Sequence, residues 1–320
     1  MPTQPLTPRI RLAISSCLTG AKVRYNATHK YSALCMEQLQ PWIEWLPLCP
    51  EMAIGLGAPR PPIQQQQPSA KASTALDVVN VQTPSINHGA ALQHYAQQVA
   101  QQLQQHAVAG YVLMQKSPSC ALSSSSIFYP QGQLPAQPGF FIRCLQQHLP
   151  LLPMIEHQQI AEPELRLHFF YRVQCYYQWQ QLIQQPLQPA VLYNFHSCYK
   201  YLLMARDPAC YKRLGQQLAM AAKQPLSEEF LAHYIHQLLQ ALALPAQRGR
   251  EYNALLHIKG YLKQLTASET QQLDTALSAF QQQQQTLPQV LQLFQQLLAR
   301  YPQPYLQQQV LLFPWLPLLS

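Results

Sequence analysis

The chain has 320 residues and a formal net charge of +8, with 48% hydrophobic and 11% charged side chains. This length exceeds what one small hydrophobic core organises and predicts two domains, while the apolar content excludes a wholly disordered chain. The positive charge admits a polyanionic partner without establishing one.

The sequence contains no run of 18 apolar residues, and its first eight residues lack the features of a secretory leader, so we expect a cytoplasmic protein with no membrane partner. Eight cysteines are too few for a disulfide-rich secreted scaffold, which favours buried thiols, metal ligands or catalytic groups. Glutamine, at about fifty residues, is the main polar side chain, and we expect it on solvated helix faces.

Three short apolar runs in the first half of the chain each lead into a loop that carries a cysteine. The runs and their cysteines are 10–15 with Cys17, 43–48 with Cys49, and 111–114 with Cys120. Helical periodicity over 90–106 and 140–148 alternates with these runs, which predicts an α/β domain with a parallel sheet and flanking helices. Because the carboxyl ends of parallel strands meet at one edge, the three cysteines are expected to converge.

The pattern changes after about residue 162 to long amphipathic stretches that indicate an all-α domain. Prolines separate the helices that we expect, which are 163–185, 189–206, 208–222, 227–243, 250–265, 268–284 and 287–300. We therefore predict an α/β domain over 1–158 and a helical domain over 159–320. The proline- and glutamine-rich segment 61–74 lacks apolar periodicity and is expected to be a flexible loop of the first domain.

The spacing of Cys17, Cys49 and Cys120 matches no local metal motif, so their position after strands is the better signal. Thiolates suit iron–sulfur clusters, and three of them on a four-iron cluster leave one iron open as a Lewis acid. On the residues alone, the alternative that they are simply buried thiols stays open. Burial is the favoured interpretation for the other five cysteines, which are Cys35, Cys144, Cys175, Cys198 and Cys210.

Six short motifs in the first half resemble the TudS-type thiouracil desulfidase family. They are SSCLTG at 15–20, VRYN at 23–26, CPE at 49–51, GLG at 55–57, PR at 59–60 and KSPSC at 116–120. The resemblance spans roughly residues 10–155 and implies that the three cysteines named above hold a 4Fe-4S cluster, with Glu51 and Ser117 as catalytic side chains. Two departures are Ala121, where the family usually has Gly, and Asn26, where it usually has Asp.

The second half resembles a helical domain that is often fused to that module. The motifs are FHSCYK at 195–200, LMA at 203–205, Asn253, HIKGY at 257–261 and YL at 305–306, with Cys198 and Arg206 standing where Arg and His are usual. The combination resembles tRNA 4-thiouridine desulfidases, which implies tRNA as the partner and hydrolytic removal of sulfur from thiolated uridine as the reaction.

The chemistry that this resemblance implies needs a soft metal site for the thiocarbonyl sulfur and a base that activates water. Glu51 is the natural base because it follows a ligand cysteine by two residues, although a salt-bridged or helix-starting acid is the alternative. Ser117 is expected to orient substrate or water, against the alternative of a turn residue before Pro118. For Ser119 we favour the turn.

Cations close to these motifs, Arg24, Arg60 and Lys116, are candidates for binding a phosphate. Between residues 200 and 263, nine cations stand against four acids, with tyrosines interleaved. We expect Lys200, Arg250 and Lys259 to bind RNA, against the alternative of a solvated face over core tyrosines.

Two rival functions remain open at this point. One is a desulfidase of free thiouracil or thiouridine, in which the helices serve stability or dimerisation. The other is a redox-sensing RNA-binding protein with a regulatory cluster. The sequence leaves open the position in tRNA and a homodimer, and gives no reason to expect DNA.

Overall fold

The computed structural model describes residues 9–70, 76–221 and 226–316. The chain divides into two compact units, one within Pro5–Glu162 and the other within Pro163–Ser320. Strands and helices alternate in the first unit, whereas the second is helical, so the predicted fold class is confirmed. None of the helices in the described part of the chain has the length and apolar character needed to cross a membrane.

The strands all lie in the first unit as far as the chain is described. They are β1 (Ile10–Ser15), β2 (Ile43–Leu48), β3 (Ile63–Gln66), β4 (Asp77–Asn80), β5 (Tyr111–Leu113), β6 (Ser125–Tyr129), β7 (Gly132–Gln137) and β8 (Met154–Glu156). The helices of this unit are α1 (Pro50–Ala53), α2 (Gly89–Gln105), α3 (Phe140–His148) and α4 (His157–Ile160), with a 3₁₀ turn at Ser16–Thr19 and a π-helical turn at Leu34–Leu39.

The first sheet has the strand order β2-β1-β5-β8, and every pair in it is parallel. Leu12, Ala13 and Ile14 in β1 are fully buried, as expected for a central strand that is covered on both faces. The loops that follow β1, β2 and β5 therefore leave the sheet at the same edge. This arrangement determines where the cysteine-bearing loops lie.

The prediction of a flexible loop over 61–74 is wrong for residues 63–66. These residues form β3, which joins a second sheet in the order β4-β3-β6-β7. Gln65 is fully buried, and its Nε2 donates to Ser125 Oγ at 3.0 Å and to the Pro138 carbonyl at 2.9 Å. A glutamine amide that bonds in this way can occupy a core position, which a reading based on apolar alternation does not anticipate. Residues 71–74 of the predicted loop lie outside the described residues.

The second unit contains the helices α5 (Pro163–Leu182), α6 (Pro189–Cys198), α7 (Lys200–Arg206), α8 (Pro208–Ala221), α9 (Glu228–Ala243), α10 (Arg248–Lys259), α11 (Ala267–Gln281), α12 (Leu287–Arg300) and α13 (Pro304–Gln307). The predicted single helix over 189–206 is two helices, because the chain tightens where Tyr199 N–H donates to the His196 carbonyl. Lys263 falls beyond the end of α10, although the pattern places it within a helix. The last residue predicted for the helix over 208–222 lies outside the described residues.

Candidate active site

A cavity of about 410 Å³ lies at the edge of the first sheet where β1, β2 and β5 end. Cys17, Cys49 and Cys120 all line it, together with Glu51 and Ser117. The structure thus brings the three strand-end cysteines to one place, as the parallel topology requires. None of these cysteines forms a disulfide.

The first two loops are short turns with defined backbone contacts. Cys17 lies in the turn after β1, which ends at Gly20 with φ of 95°, a left-handed conformation that favours glycine. The Cys17 carbonyl accepts from Lys30 N–H at 2.8 Å, which holds the following loop against the turn. Cys49 caps the N-terminus of α1, where its carbonyl accepts from Ala53 N–H at 3.0 Å. Each thiol therefore has a fixed backbone position.

The turn that carries Cys120 is organised by Ser117, whose Oγ accepts from Ser119 N–H at 3.2 Å and from Cys120 N–H at 3.0 Å. Gly139 lies against this turn so closely that a Cβ there would be 2.5 Å from the Ser119 carbonyl carbon and oxygen. The close approach of backbone to the cysteine loop thus occurs at Gly139. Ala121 is fully buried beside it, and its methyl group is accommodated.

Burial controls the protonation of the three thiols. It raises the pKa of Cys17 to about 11, with a further contribution from Cys49, and it also raises the pKa of Cys49. Burial raises the pKa of Cys120 well above its ordinary value, and Glu51, Cys49 and Cys17 add to the effect. These contributions are consistent with the three thiols lining one cavity. Metal binding would have to displace the protons, as it does generally at thiolate sites.

The donor set suits an iron–sulfur cluster better than a single ion. In the parts of the chain that the structure describes, no group of three His, Cys, Asp or Glu side chains is placed to hold one metal ion. Each cysteine of a four-iron cluster binds a different iron, so cluster ligands are spaced more widely than the ligands of one zinc ion. Three thiols facing one cavity therefore fit three corners of such a cluster.

Glu51 is held from two sides at the cavity wall. Arg60 donates to Glu51 Oε2 through Nε at 2.9 Å and Nη2 at 2.6 Å, while Ser119 Oγ donates to Oε1 at 3.0 Å. Ser119 is fully buried. Ser119 lies in a turn, as predicted, and its hydroxyl in addition fixes the carboxylate predicted to act as base.

Arg60 is expected from the sequence to bind phosphate, but its N–H groups donate to acceptors within the protein. Besides Glu51, its Nη1 contacts the carbonyls of Val23, at 3.0 Å, and Gly57. Only 5% of its side chain is exposed. The structure favours a positioning role for Arg60 over a phosphate contact, because its guanidinium is already bound by protein acceptors.

Comparisons with known proteins bear on this geometry. Residues 12–157 match the family described as 2-thiouracil desulfurase. The α/β unit is therefore similar to 2-thiouracil desulfurases. Residues 200–315 match a family described as proteins of unknown function, DUF1722. The expected combination of a desulfidase module with a helical domain is thus confirmed.

An uncharacterized Escherichia coli K12 protein, YbgA, is 24% identical over 136 residues, which is 42% of this chain and 80% of that protein. A solved structure described as a [4Fe-4S]-dependent thiouracil desulfidase, TudS, is 24% identical and has a TM-score of 0.38, covering 50% of this chain and 97% of its own.

The cavity of the α/β unit also carries positive charge. Arg24 and Lys116 line it, as does Lys30, which the sequence reading missed. None of these three side chains forms a salt bridge with a carboxylate within the described ranges. Lys30 is part of no recognised motif, and the loop fold rather than a local pattern brings it to the cavity. The cavity wall therefore suits an anionic group on a substrate.

The three RNA-binding candidates of the helical unit have different surroundings. Arg250 Nη1 donates to the Arg206 carbonyl at 2.6 Å, and Lys259 forms an ion pair with Asp274. Both cations therefore have protein partners, and their contact with RNA stays a prediction. Lys200 Nζ instead lies 5.0 Å from the centre of the Tyr201 ring, within cation–π range.

Proposed function

We propose that the chain is a tRNA 4-thiouridine desulfidase, which hydrolyses the carbon–sulfur bond of thiolated uridine to uridine and sulfide, with tRNA as its cytoplasmic partner. The observation that carries this proposal is the convergence of three cysteine thiols on one cavity beside a carboxylate held by Arg60 and Ser119. The family match supports the removal of sulfur from a thiouracil ring. The choice of tRNA over free thiouracil as the substrate rests on the positive charge at the cavity and in the helical unit.

Cys17, Cys49 and Cys120 would hold a 4Fe-4S cluster, each through its thiolate sulfur. When bound through three thiolates, such a cluster supplies an open iron with affinity for the soft thiocarbonyl sulfur. The balance of the reaction is one water consumed, a C=S bond replaced by C=O, and H₂S or its anion released. No electron is consumed.

Glu51 supplies the base for the attacking water. Its Oε2 accepts two hydrogen bonds from Arg60, whereas Oε1 accepts one from Ser119, so Oε1 has the more available lone pair. We therefore assign the acceptance of the water proton to Oε1. Arg60 and Ser119 keep the carboxylate from rotating while it acts.

Ser117 suits the orientation of the substrate. Its oxygen accepts two backbone N–H groups of the cysteine turn, and its hydroxyl hydrogen can donate either to the Cys120 sulfur or to a group bound in the cavity that this residue lines. A pyrimidine carbonyl or the attacking water is a suitable acceptor. The structural and catalytic roles expected for Ser117 are therefore compatible in one side chain.

Charge supports a nucleotide in tRNA over a free base. A free thiouracil has no phosphate to meet Arg24, Lys30 and Lys116 at the cavity. In the helical unit, Lys200 lies by Tyr201 and Tyr305, and Tyr261 stacks on Tyr305 with ring centres 5.7 Å apart. Tyr261 is 42% exposed, so its ring is accessible for stacking on an unpaired base.

The decisive experiment is anaerobic cluster reconstitution of the full chain, followed by sulfide release from 4-thiouridine-containing tRNA and from free 4-thiouracil in parallel. We expect faster release from tRNA at equal concentration. Lys116→Gln should raise KM for tRNA and leave the rate on the free base unchanged. The matched control is Lys22→Gln, which changes an exposed lysine that does not line the cavity.

Each rival function has its own outcome in this assay. Equal or faster release from the free base, with no effect of Lys116→Gln, would favour a desulfidase of free thiouracil. A loaded protein that releases no sulfide from either substrate but binds tRNA according to its redox state would favour the regulatory alternative.

A further inference from the structure

Tyr111 has a buried hydroxyl that no described residue satisfies. It is the first residue of β5, the strand that leads to the Cys120 turn, and its side chain is fully buried. Its hydroxyl oxygen has no hydrogen-bond partner in the described part of the chain. Buried hydroxyl groups are almost always paired, since leaving one unpaired is destabilising.

Tyr111 begins the strand whose following loop carries Cys120, and the cysteine cavity lies at the carboxyl end of that strand. Burial raises the pKa of Tyr111 well above its ordinary value, and Cys120, Tyr95, Cys49 and Cys17 add to the effect in that order. The hydroxyl is thus a hydrogen-bond donor for which the described residues supply no acceptor. All three cysteines that line the cavity act on it.

Tyr95, the other tyrosine near these thiols, is a weaker candidate for the same role. It is only partly buried, and its ring stacks on Phe141 with centres 5.6 Å apart. Among the described residues, the Tyr95 hydroxyl is not one of the buried polar groups that lack a hydrogen-bond partner. Tyr111 is therefore the stronger candidate, because its side chain is fully buried and its hydroxyl has no partner among the described residues.

We propose that the Tyr111 hydroxyl donates a hydrogen bond to sulfur at the occupied cluster site, on the Cys120 side. The acceptor is the Cys120 thiolate or the sulfide next to it. This role rests on the proposed function, since it requires the cluster. Tyr111 is a positioning residue: it does not touch the substrate, and it acts on the electron density of the cluster sulfur.

A hydrogen bond to sulfur withdraws electron density and stabilises the more negative, reduced form of a cluster, which raises its reduction potential. The same bond opposes loss of the cluster. Less electron density on sulfur also leaves the open iron a stronger Lewis acid. Removing the hydroxyl should therefore lower the potential and speed the loss of cluster.

The test is Tyr111→Phe in the reconstituted full-length protein, since this change removes only the oxygen. We expect a more negative midpoint potential and faster cluster loss on exposure to a chelator. We also expect an exchangeable-proton coupling, present in electron–nuclear double-resonance spectra of the reduced wild type in H₂O and lost in D₂O, to be absent from the variant. The cluster-free variant should unfold at the same or higher denaturant concentration than the cluster-free wild type, because an unpaired buried hydroxyl is removed.

Tyr171→Phe is the matched control. Tyr171 is also fully buried, but its hydroxyl donates to the Leu311 carbonyl at 2.7 Å, so its loss should lower stability and leave the cluster potential unchanged. If loaded Tyr111→Phe matches the wild type in potential and proton coupling, the role of Tyr111 is refuted while the proposed function stands. If Tyr111→Phe does not load, a wild-type spectrum without the exchangeable proton refutes the role. A wild type that takes up no cluster refutes the proposed function and this role together.

Discussion

The two units of the chain use buried charge in different ways. In the α/β unit, the Arg60–Glu51 pair, with N···O at 2.6 Å, lies at the wall of an open cavity beside three thiols. In the helical unit, Arg206 Nη1 lies 3.0 Å from Glu251 Oε1, and His168 Nε2 lies 3.3 Å from the same oxygen. Arg206 and Glu251 are both buried. The Arg60–Glu51 pair thus lies where it could contact a bound molecule, whereas the Arg206–Glu251 pair is expected to contribute to stability.

The largest effect is expected at the three cysteines that line the cavity of the α/β unit. Cys120→Ala should abolish the cluster absorbance after anaerobic reconstitution and sulfide release with it, because a cluster with two protein ligands is poorly held. Cys17→Ala and Cys49→Ala should behave alike. Cys35→Ala, which changes a buried thiol that does not line the cavity, should keep both signals. A fully loaded and active Cys120→Ala protein would contradict the assignment.

The second largest effect is expected on the stability of the helical unit. Glu251→Gln leaves Arg206 buried without an anionic partner and should lower the free energy of unfolding by about 3–5 kcal/mol, measured by denaturant titration of the cluster-free protein. The surface pair of Arg11 with Glu44 gives the control, since Glu44→Gln should change stability by less than about 1 kcal/mol.

The pH dependence of this effect has a definite sign. Burial alone would raise the pKa of Glu251, but its contacts with His168 and Arg206 lower it overall. Its contribution to stability is therefore present above the pKa of an unfolded glutamate and is lost as the pH falls through the folded value. Equal stability losses for Glu251→Gln and Glu44→Gln would show that the buried pair has no special role.

A third prediction concerns acid sensitivity. Burial lowers the pKa of His196 to about 4, and its Nδ1 lies 3.1 Å from the Tyr234 hydroxyl. Between pH 6.5 and 4 the unfolded chain takes up a proton that folded His196 does not, so stability should fall by about 3 kcal/mol over this window. His196→Gln should flatten this part of the stability curve, whereas His233→Gln, at an exposed position, should not. An unchanged slope in His196→Gln would assign the acid sensitivity to other groups.

The base at the cavity is expected to affect turnover rather than folding. Glu51→Gln should retain the cluster spectrum and lose roughly 10²-fold or more in single-turnover sulfide release. Glu44→Gln again serves as the control with full activity. A near-normal rate in a loaded Glu51→Gln protein would transfer the role to another group.

The smallest effect is expected at Ser119. Ser119→Ala removes the one hydrogen bond to Glu51 Oε1 and should lower kcat about tenfold with little change in KM, as the loss of a bond to a charged group suggests. Ser119→Thr keeps the hydroxyl and should restore part of the rate. If both variants lose stability equally and keep kcat, Ser119 has only a structural role.

The chain's periodicity determined the parallel sheet, the convergence of Cys17, Cys49 and Cys120 at its edge, and most of the helices between prolines. These features follow from local patterns, because strand alternation, helical spacing and proline all act within a few residues. Parallel topology then places the ends of β1, β2 and β5 together without any knowledge of the loops.

Only the tertiary structure decided the partners of the polar side chains. Ser119 and Glu51 are 68 positions apart, and Arg250 meets a carbonyl 44 positions away, so no local pattern links them. Gln65 became a core residue of β3 because Ser125 and Pro138 supply acceptors from distant segments. A buried polar group needs a partner from wherever the fold can provide one, and that requirement is met by loop geometry rather than by spacing along the chain.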